Sequence, residues 1–412
     1  MKKTKLTRSL TAAAAVAALS TGCGADADPE VPAGNPDEPL YVVSTGVISG
    51  DEFLGYLATT RSLEAGSTYD LDHAAELDTG SFVFGRPGSS SVYVASLGAP
   101  TIVRWDVRGE GDFVQQETLS FANLGIQGAF LAASAPIFSK QKSYFVDDEQ
   151  DRVIVWNPER MELIGTIELG DEAEGSLLPI PDGTIVVRGN CLVVTVGWRD
   201  VDDTTVYADR VRTITIDTRT DEVVDKTDDF RATHAVASGS TSDGTTYFSP
   251  YSLYAAYGEG GDGHGAPSVA LELAPSGTTF DADYALDLSA LVGGRHAGDL
   301  VFLDDETALV RAWHPELVDP VDATNWRDVV RGQAGFMWWR WHVGDAEAVE
   351  IENQEPGTLG SAIFKVDGRT YSIRYAESQA ATALVEITPD GEFVPALEGP
   401  GLIVGSGVLR VR

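Results

Sequence analysis

Thr382-Ala-Leu-Val-Glu-Ile-Thr-Pro-Asp-Gly391, with the alternating residues that run on to Leu397, reads as one unit: a strand, a polar turn and a second strand. A period of two sends one side of each strand into a core, and Pro-Asp-Gly reverses the chain. Toward the N-terminus the unit recurs as Phe336-Met-Trp-Trp-Arg-Trp341 to Ile351, Ser268-Val-Ala-Leu-Glu-Leu273 to Leu288, and Arg212-Thr-Ile-Thr-Ile-Asp-Thr218 to Phe230. Earlier copies are Arg152-Val-Ile-Val-Trp-Asn-Pro158 to Leu169, Thr101-Ile-Val-Arg-Trp-Asp-Val107 to Phe121, and Phe53-Leu-Gly-Tyr-Leu57 running to Tyr69–Leu77. The repeat returns roughly every fifty residues or a little more, a spacing typical of repeat architectures.

Two further short strands precede each unit, for example Phe82–Arg86 with Val92–Ser96 and Ala362–Val366 with Tyr371–Tyr375. Four antiparallel strands per repeat, with almost no helical periodicity, predict the blades of a β-propeller. The first unit has only Leu40–Thr45 ahead of it. Leu402-Ile-Val-Gly405 and Val408-Leu-Arg-Val411 at the chain's end would supply the missing inner strand. The expectation is an all-β, seven-bladed β-propeller over residues 40–412, closed by its N- and C-terminal strands so that no sheet edge stays open. A pair of β-sandwiches is the competing architecture.

Ahead of the repeats, Lys2, Lys3, Lys5 and Arg8 precede a short apolar run from Leu10 to Leu19, then Leu19-Ser-Thr-Gly-Cys23. The run is too short to span a bilayer and reads as a secretory signal, residues 1–22. The cleavage site has the form of a bacterial lipobox, with Ser20 where an aliphatic residue is usual, so Cys23 is the expected lipidation site. Residues 23–39 are rich in Pro, Gly and Asp and read as a linker. A membrane attachment through acyl chains follows, each buried methylene contributing roughly 0.8 kcal/mol.

With 63 acidic against 29 basic residues the chain carries a net charge of −34. That balance repels polyphosphate, so nucleic acid is no partner. Yet 43% of the residues are hydrophobic and eight are Trp, which is the composition of a folded chain. Besides Cys23 the only cysteine is Cys191, so no intramolecular disulfide is expected; it opens the apolar run Cys191-Leu-Val-Val194 and reads as a core thiol.

In a propeller, the links between blades and the turns between second and third strands share one face. The longest insertions, around Trp198–Asp209, Tyr257–Pro267 and His314–Gly335, fall in that second type of turn on blades four, five and six. The unusual side chains follow them. His234 opens blade five, Arg295 and His296 open blade six, His264 lies in the blade-five insertion, and Trp313 and His314 begin that of blade six. Arg199, Arg311, Tyr254 and Tyr257 join the same neighbourhood, with Tyr251, Trp326, Arg327 and Arg331 as further candidates. Long loops on a rigid frame are where binding sits.

No His-x-His or Glu-x-x-His spacing supplies metal geometry, so no metal is expected. Gly258–Gly265 lacks the Lys and Ser/Thr of a phosphate loop, and Asp147–Asp151 lacks the glycine and terminal glutamate of a calcium loop and reads as a solvated turn. There is no Gly-x-Ser-x-Gly elbow, zinc-protease helix or Cys-x-x-Cys-His haem motif. No catalytic residue is assigned, no cofactor is implied, and nothing in the sequence calls for an enzyme.

The lipobox together with Tyr41-Val-Val-Ser-Thr-Gly46, Phe53-Leu-Gly-Tyr-Leu57, Val92-Tyr-Val-Ala95 and Ile102-Val-Arg-Trp105 resembles the MxcI-like lipoproteins of siderophore gene clusters. It is also similar to surface lipoprotein propellers that accompany TonB-dependent xenosiderophore receptors. The resemblance implies an outer-membrane lipoprotein, on its periplasmic or cell-surface face, that captures a ferric siderophore and passes it to a TonB-dependent outer-membrane receptor. The family supplies no motif for the binding residues, so the site rests on loop topology alone. Arg295, Arg311, Trp313 and His314 lead the list, because guanidinium and aromatic faces suit a flat ferric catecholate. A neutral or cationic hydroxamate complex meets less repulsion from the acidic chain. A protein-interaction propeller without a small ligand, and a metal-dependent enzyme using His234, His264, His296 and His314, remain as alternatives.

Overall fold

Residues 152–157, Arg-Val-Ile-Val-Trp-Asn, are buried along almost their whole length, whereas the neighbouring strand Glu162–Glu168 alternates exposed and covered positions. This is the logic of a blade: middle strands sit between two adjacent sheets and are apolar on both faces, while the outermost strand faces water on one. The computed structural model describes residues 39–412 apart from 50–51, 78–80, 97, 110, 135–136, 262–263, 323, 359–362 and 376–379. The signal at 1–22, Cys23 and the linker up to residue 38 lie outside the described residues.

Seven sheets form the wheel. Blades two, four, five and six each consist of four consecutive antiparallel strands. Blade one takes its inner strand, Leu402–Arg410, from the end of the chain; it pairs antiparallel with Tyr41–Ser49, Tyr41 opposite Arg410. The closure expected from the sequence is therefore present. The Leu40 N–H donates to the Arg412 carbonyl at 3.2 Å, and the Val411 N–H to that of Leu40 at 2.8 Å.

A second fastening was not expected. Ser67–Thr68, just ahead of the outer strand expected at Tyr69–Leu77, crosses to blade seven and pairs in parallel with Phe393–Pro400. Among the described residues, blade one's own outer strand is Ala75–Leu77. The strap is held by Tyr69, whose hydroxyl donates to the Pro400 carbonyl at 2.8 Å, and by Arg369, which bridges Glu64 and Glu386. Gly399 is required here: a Cβ would lie 2.1 Å from the Tyr69 ring.

Blade three also departs from expectation. Among the described residues it has three strands, and the 3-10 turn Phe130–Ser134 packs where its inner strand would run, against the inner strands of blades two and four. The local sequence Ala129-Phe-Leu-Ala-Ala-Ser134 has no β-branched residue, so little favours an extended strand. Aromatic side chains fill the gaps between blades. Trp156 is fully buried, edge-on to Tyr93 at 5.5 Å and to Phe84 at 6.3 Å. Trp338 and Trp341 likewise pack into two different cores on opposite sides of their strand. Cys191, expected in the core, is a half-buried free thiol at the start of its strand.

Because every blade alternates direction, links between blades and second-to-third turns emerge on one face, and the remaining turns on the other. We call the first the loop face. Among the described residues no helix is long and apolar enough to cross a membrane.

Candidate functional site

Three inner strands break their ladders at the same depth. The register shifts between Pro181 and Ile185 in blade four, Ala237 and Gly239 in blade five, and Gly298 and Val301 in blade six. A bulge re-aims side chains, and a short polar residue stands at each shift: Asp182, Ser238 and Asp299, of which Ser238 bonds back to Ser249 of its own blade at 2.6 Å. Asp299 adopts a left-handed φ of 49°, and Gly298 before it has no room for a side chain, with the Pro250 carbonyl 2.3 Å from a Cβ position. Ser252 donates to the Asp299 carboxylate at 2.5 Å, and the Thr184 N–H to that of Asp182 at 2.8 Å. Asp148, from the second-to-third turn of blade three, joins them from the loop face.

Above these carboxylates stands a collar of rings from blades four and five. His234 lies edge-on to Tyr254 at 5.0 Å, with Tyr251 at 5.6 Å and Tyr207 at 6.2 Å. Tyr251 and Tyr254 are 5.3 Å apart, and Tyr207 lies 5.6 Å from Tyr254. Arg199, at the end of its strand, carries its charge into the collar. The three tyrosines and Arg199 are half-buried, yet desolvation pushes all three phenols up, Tyr207 and Tyr251 well above the ordinary value. Partly open side chains enclosed by protein are the walls of a recess.

The electrostatics follow from that enclosure. Burial pushes Asp182 and Asp148 each up to about 6, and each feels the other or its acidic neighbours. Asp299 is also raised by burial, against the pull of Arg311. Burial, and then the Arg199 charge, lower His234 to about 3, so its imidazole is neutral. Several polar atoms of this region are buried without a partner: His234 Nδ1, the Tyr207 hydroxyl and Arg311 Nε. Such orphans are uncommon in folded proteins and call for an explanation.

Of the ten residues singled out from sequence, His234, Arg199 and Tyr254 line the recess. Tyr257 stands behind it, its hydroxyl accepting from Arg331 Nε at 2.8 Å. Arg311 reaches the floor, 3.8 Å from Asp299, but is 4% exposed and wedged against Phe336 and Trp338, with one nitrogen donating to the Thr358 carbonyl.

The remaining candidates need correction. Trp313 is 0% exposed and packs on Phe336 at 4.9 Å, so it offers no face to a ligand. His314 is 3% exposed with both nitrogens engaged, Nε2 accepting from Trp339 Nε1 at 3.1 Å and Nδ1 3.1 Å from Glu316. Arg295 is held by the same Glu316 through two bonds of 2.8 and 3.1 Å. These three form a brace at the edge of blade six. His296 lies 3.9 Å from Glu259, and His264 bonds Thr205 at 2.9 Å. The four histidines do not converge, and among the described residues no three His, Cys, Asp or Glu side chains are grouped so as to hold a metal ion.

His264 instead helps knit the three insertions. Gly265 N–H donates to the Thr205 carbonyl at 2.8 Å, His264 sits 5.2 Å from Trp326, and Arg327 pairs with Asp203. Trp326 opens the helix Trp326–Gly332 of the blade-six insertion and meets Tyr257 at 5.9 Å. The loops thus make a rim beside the recess. Sequence reasoning missed Tyr207 and the three carboxylates, and took Asp147–Asp151 as solvated. Asp147 is in fact buried against Arg152 at 2.8 Å, and Asp148 is turned inward. The signal available was Asp beside Gly inside an apolar strand, at Asp182-Gly183 and Gly298-Asp299.

No family model matches the chain, and no curated protein matches it. Solved structures do. The periplasmic gluconolactonase PpgL of Pseudomonas aeruginosa is similar over 90% of this chain and 99% of its own, at 11% identity and a TM-score of 0.51. Apo AztD from Citrobacter koseri covers 90% and 98% at 9% identity and 0.44. The β-propeller domain of the Trilobed protease from Pyrococcus furiosus covers 87% and 96% at 10% identity and 0.43. At such identities the likeness concerns architecture alone. The protein is a seven-bladed β-propeller.

Proposed function

We propose that this propeller is an envelope binding protein whose loop-face recess captures a ferric siderophore. The observation that carries the reading is a collar of tyrosine and histidine rings over three carboxylates, with buried polar atoms left without partners. The rings supply flat apolar contact, and the orphaned His234 Nδ1 and Tyr207 hydroxyl supply hydrogen-bonding positions for a ligand. Asp148, Asp182 and Asp299 outnumber Arg199 and Arg311, so the floor favours a neutral or cationic iron complex over a trianionic one. That preference points to hydroxamate rather than catecholate chemistry. In this reading lipid at Cys23 holds the protein at the outer membrane, and a TonB-dependent receptor accepts the loaded complex.

The test is quenching of tryptophan fluorescence, with a monocationic ferric trihydroxamate titrated against a trianionic ferric tris-catecholate. The cation should saturate the signal, and Asp182→Asn should weaken it roughly tenfold, the effect of losing one charge contact of about 1.4 kcal/mol. Affinity should fall between pH 7 and pH 5 as Asp148 and Asp182, both near pH 6, take up protons. Absence of saturable quenching by either complex would end the siderophore reading.

A further inference from the structure

On the face opposite the loops, a cavity of about 190 Å³ opens between blades two and three. It is built by the first-to-second turn of blade two, by the chain entering blade three, and by that blade's third-to-fourth turn. Arg86, Arg104 and Lys140 line it with Ser89 and Tyr93, and Glu159 is its one acidic residue. Three basic side chains converging on one cavity stand out in a chain with more than twice as many acidic residues as basic ones.

The hydrogen bonds of the two arginines are incomplete. Arg86 Nη1 is buried with no partner, and so is Arg104 Nε. The rest of Arg104 is fixed: Nη1 donates to the Glu159 carbonyl at 2.7 Å and Nη2 pairs with Glu117 at 2.8 Å. That grip holds the guanidinium in place without using Nε. Ser89 Oγ accepts the Ser91 N–H at 3.2 Å and keeps its own hydrogen to give. A buried guanidinium nitrogen without an acceptor is costly, and an anion with several oxygens removes the cost at two arginines together.

We propose that this cavity binds a tetrahedral oxyanion of the phosphate or sulfate type, either as the free ion or as the exposed headgroup of an ester. The volume holds such an ion with room for one substituent or a few waters. The polar, cationic lining suits neither a metal ion nor an apolar ligand. Because the whole chain repels anions at long range, the affinity comes from the short-range fork of Arg86 and Arg104, which selects oxygens at bidentate spacing. The site is separate from the loop-face recess and does not depend on the siderophore reading.

The experiment is calorimetric titration of the whole protein with inorganic phosphate and with sulfate. A parallel arm measures co-sedimentation with phosphatidylcholine vesicles made with and without phosphatidic acid. One saturable site is expected, weakened about tenfold or more by Arg86→Gln and to a smaller extent by Arg86→Lys, which keeps the charge and loses the fork. Arg219→Gln, an exposed arginine elsewhere paired with Asp217, should change nothing. Phosphate binding without vesicle retention assigns the free ion, and Arg86-dependent retention by phosphatidic acid assigns the ester. Failure of both arms, or binding that survives Arg86→Gln in a variant with native circular dichroism, overturns the site.

Discussion

At the seam between blades seven and one, buried polar groups find their partners. Thr382 Oγ1 donates to the Gly401 carbonyl at 2.6 Å and accepts from the Ile403 N–H, while Tyr69 and Thr45 both donate to the Pro400 carbonyl. In blades four to six the same kinds of residue behave differently. Tyr207, His234 and Arg311 keep buried atoms without partners, and Asp148, Asp182 and Asp299 are held in surroundings that resist their charge. Both regions join residues far apart in sequence. One uses its hydrogen bonds to fasten the ring, and the other leaves them available at a net cost to the fold. A saturated polar network marks a structural joint, and an unsaturated one marks a place kept for something else.

Overfilling the joint is the strongest way to probe that contrast. Gly399→Val should destabilise the wheel by about 3 kcal/mol, since the new side chain must displace Tyr69 and lift the strap. Its melting temperature should drop, and at temperatures where the variant stays folded the recess should still bind. A melting temperature equal to the parent's would show that the strap contributes nothing to closure.

Relieving the recess should have the opposite sign. The folded-state value of Asp182, about 6, lies above the ordinary 3.8. Between those pH values the native state holds a proton that the unfolded chain has released, so stability falls as pH rises from about 4 to 6 and the deficit is complete above that. Asp182→Asn should therefore stabilise the protein at pH 7, by up to about 3 kcal/mol, and make no difference below pH 4. Denaturant melts at the two pH values measure this; an equal effect at both would mean that charge is not the cause.

The smallest effect is expected from Tyr69→Phe. Removing the hydroxyl leaves Pro400 with the Thr45 hydroxyl still bonded at 3.0 Å, so the loss should be about 1 kcal/mol. The matched change Tyr207→Phe removes a hydroxyl with no partner and should cost nothing or stabilise slightly. If Tyr207→Phe proved the costlier of the two in urea melts, the distinction between joint and recess would fail.

The blades were legible in the sequence because strand alternation and turn residues are local signals. Asp367-Gly368, with φ of 52° and 77°, makes the tight hairpin its sequence promises between Ile363–Val366 and Arg369–Tyr375. Ring closure was legible too, since the first blade was one strand short. The strap at Ser67–Thr68 was not, because two residues paired in parallel with a distant blade carry no periodicity. Site residues were read by loop type, which places a residue on a face but not at a depth. That rule brought His234, Arg199 and Tyr254 to the recess. It also swept in Trp313 and His314, whose burial depends on Phe336 and Trp339 across the sheet. Asp182 and Asp299 were hidden because each sits at a register shift, which the alternating pattern does not reveal.

Leu40 meets Arg412 at the end of its strand remote from the Ser49–Glu52 pair, and so on the side away from the recess. The junction of the first and last strands therefore lies on that underside. There the Gly88 N–H donates to the Arg410 carbonyl at 3.1 Å, so the turn that helps build the Arg86 and Arg104 cavity is stitched to the strand that closes the wheel, at the end opposite the tyrosines.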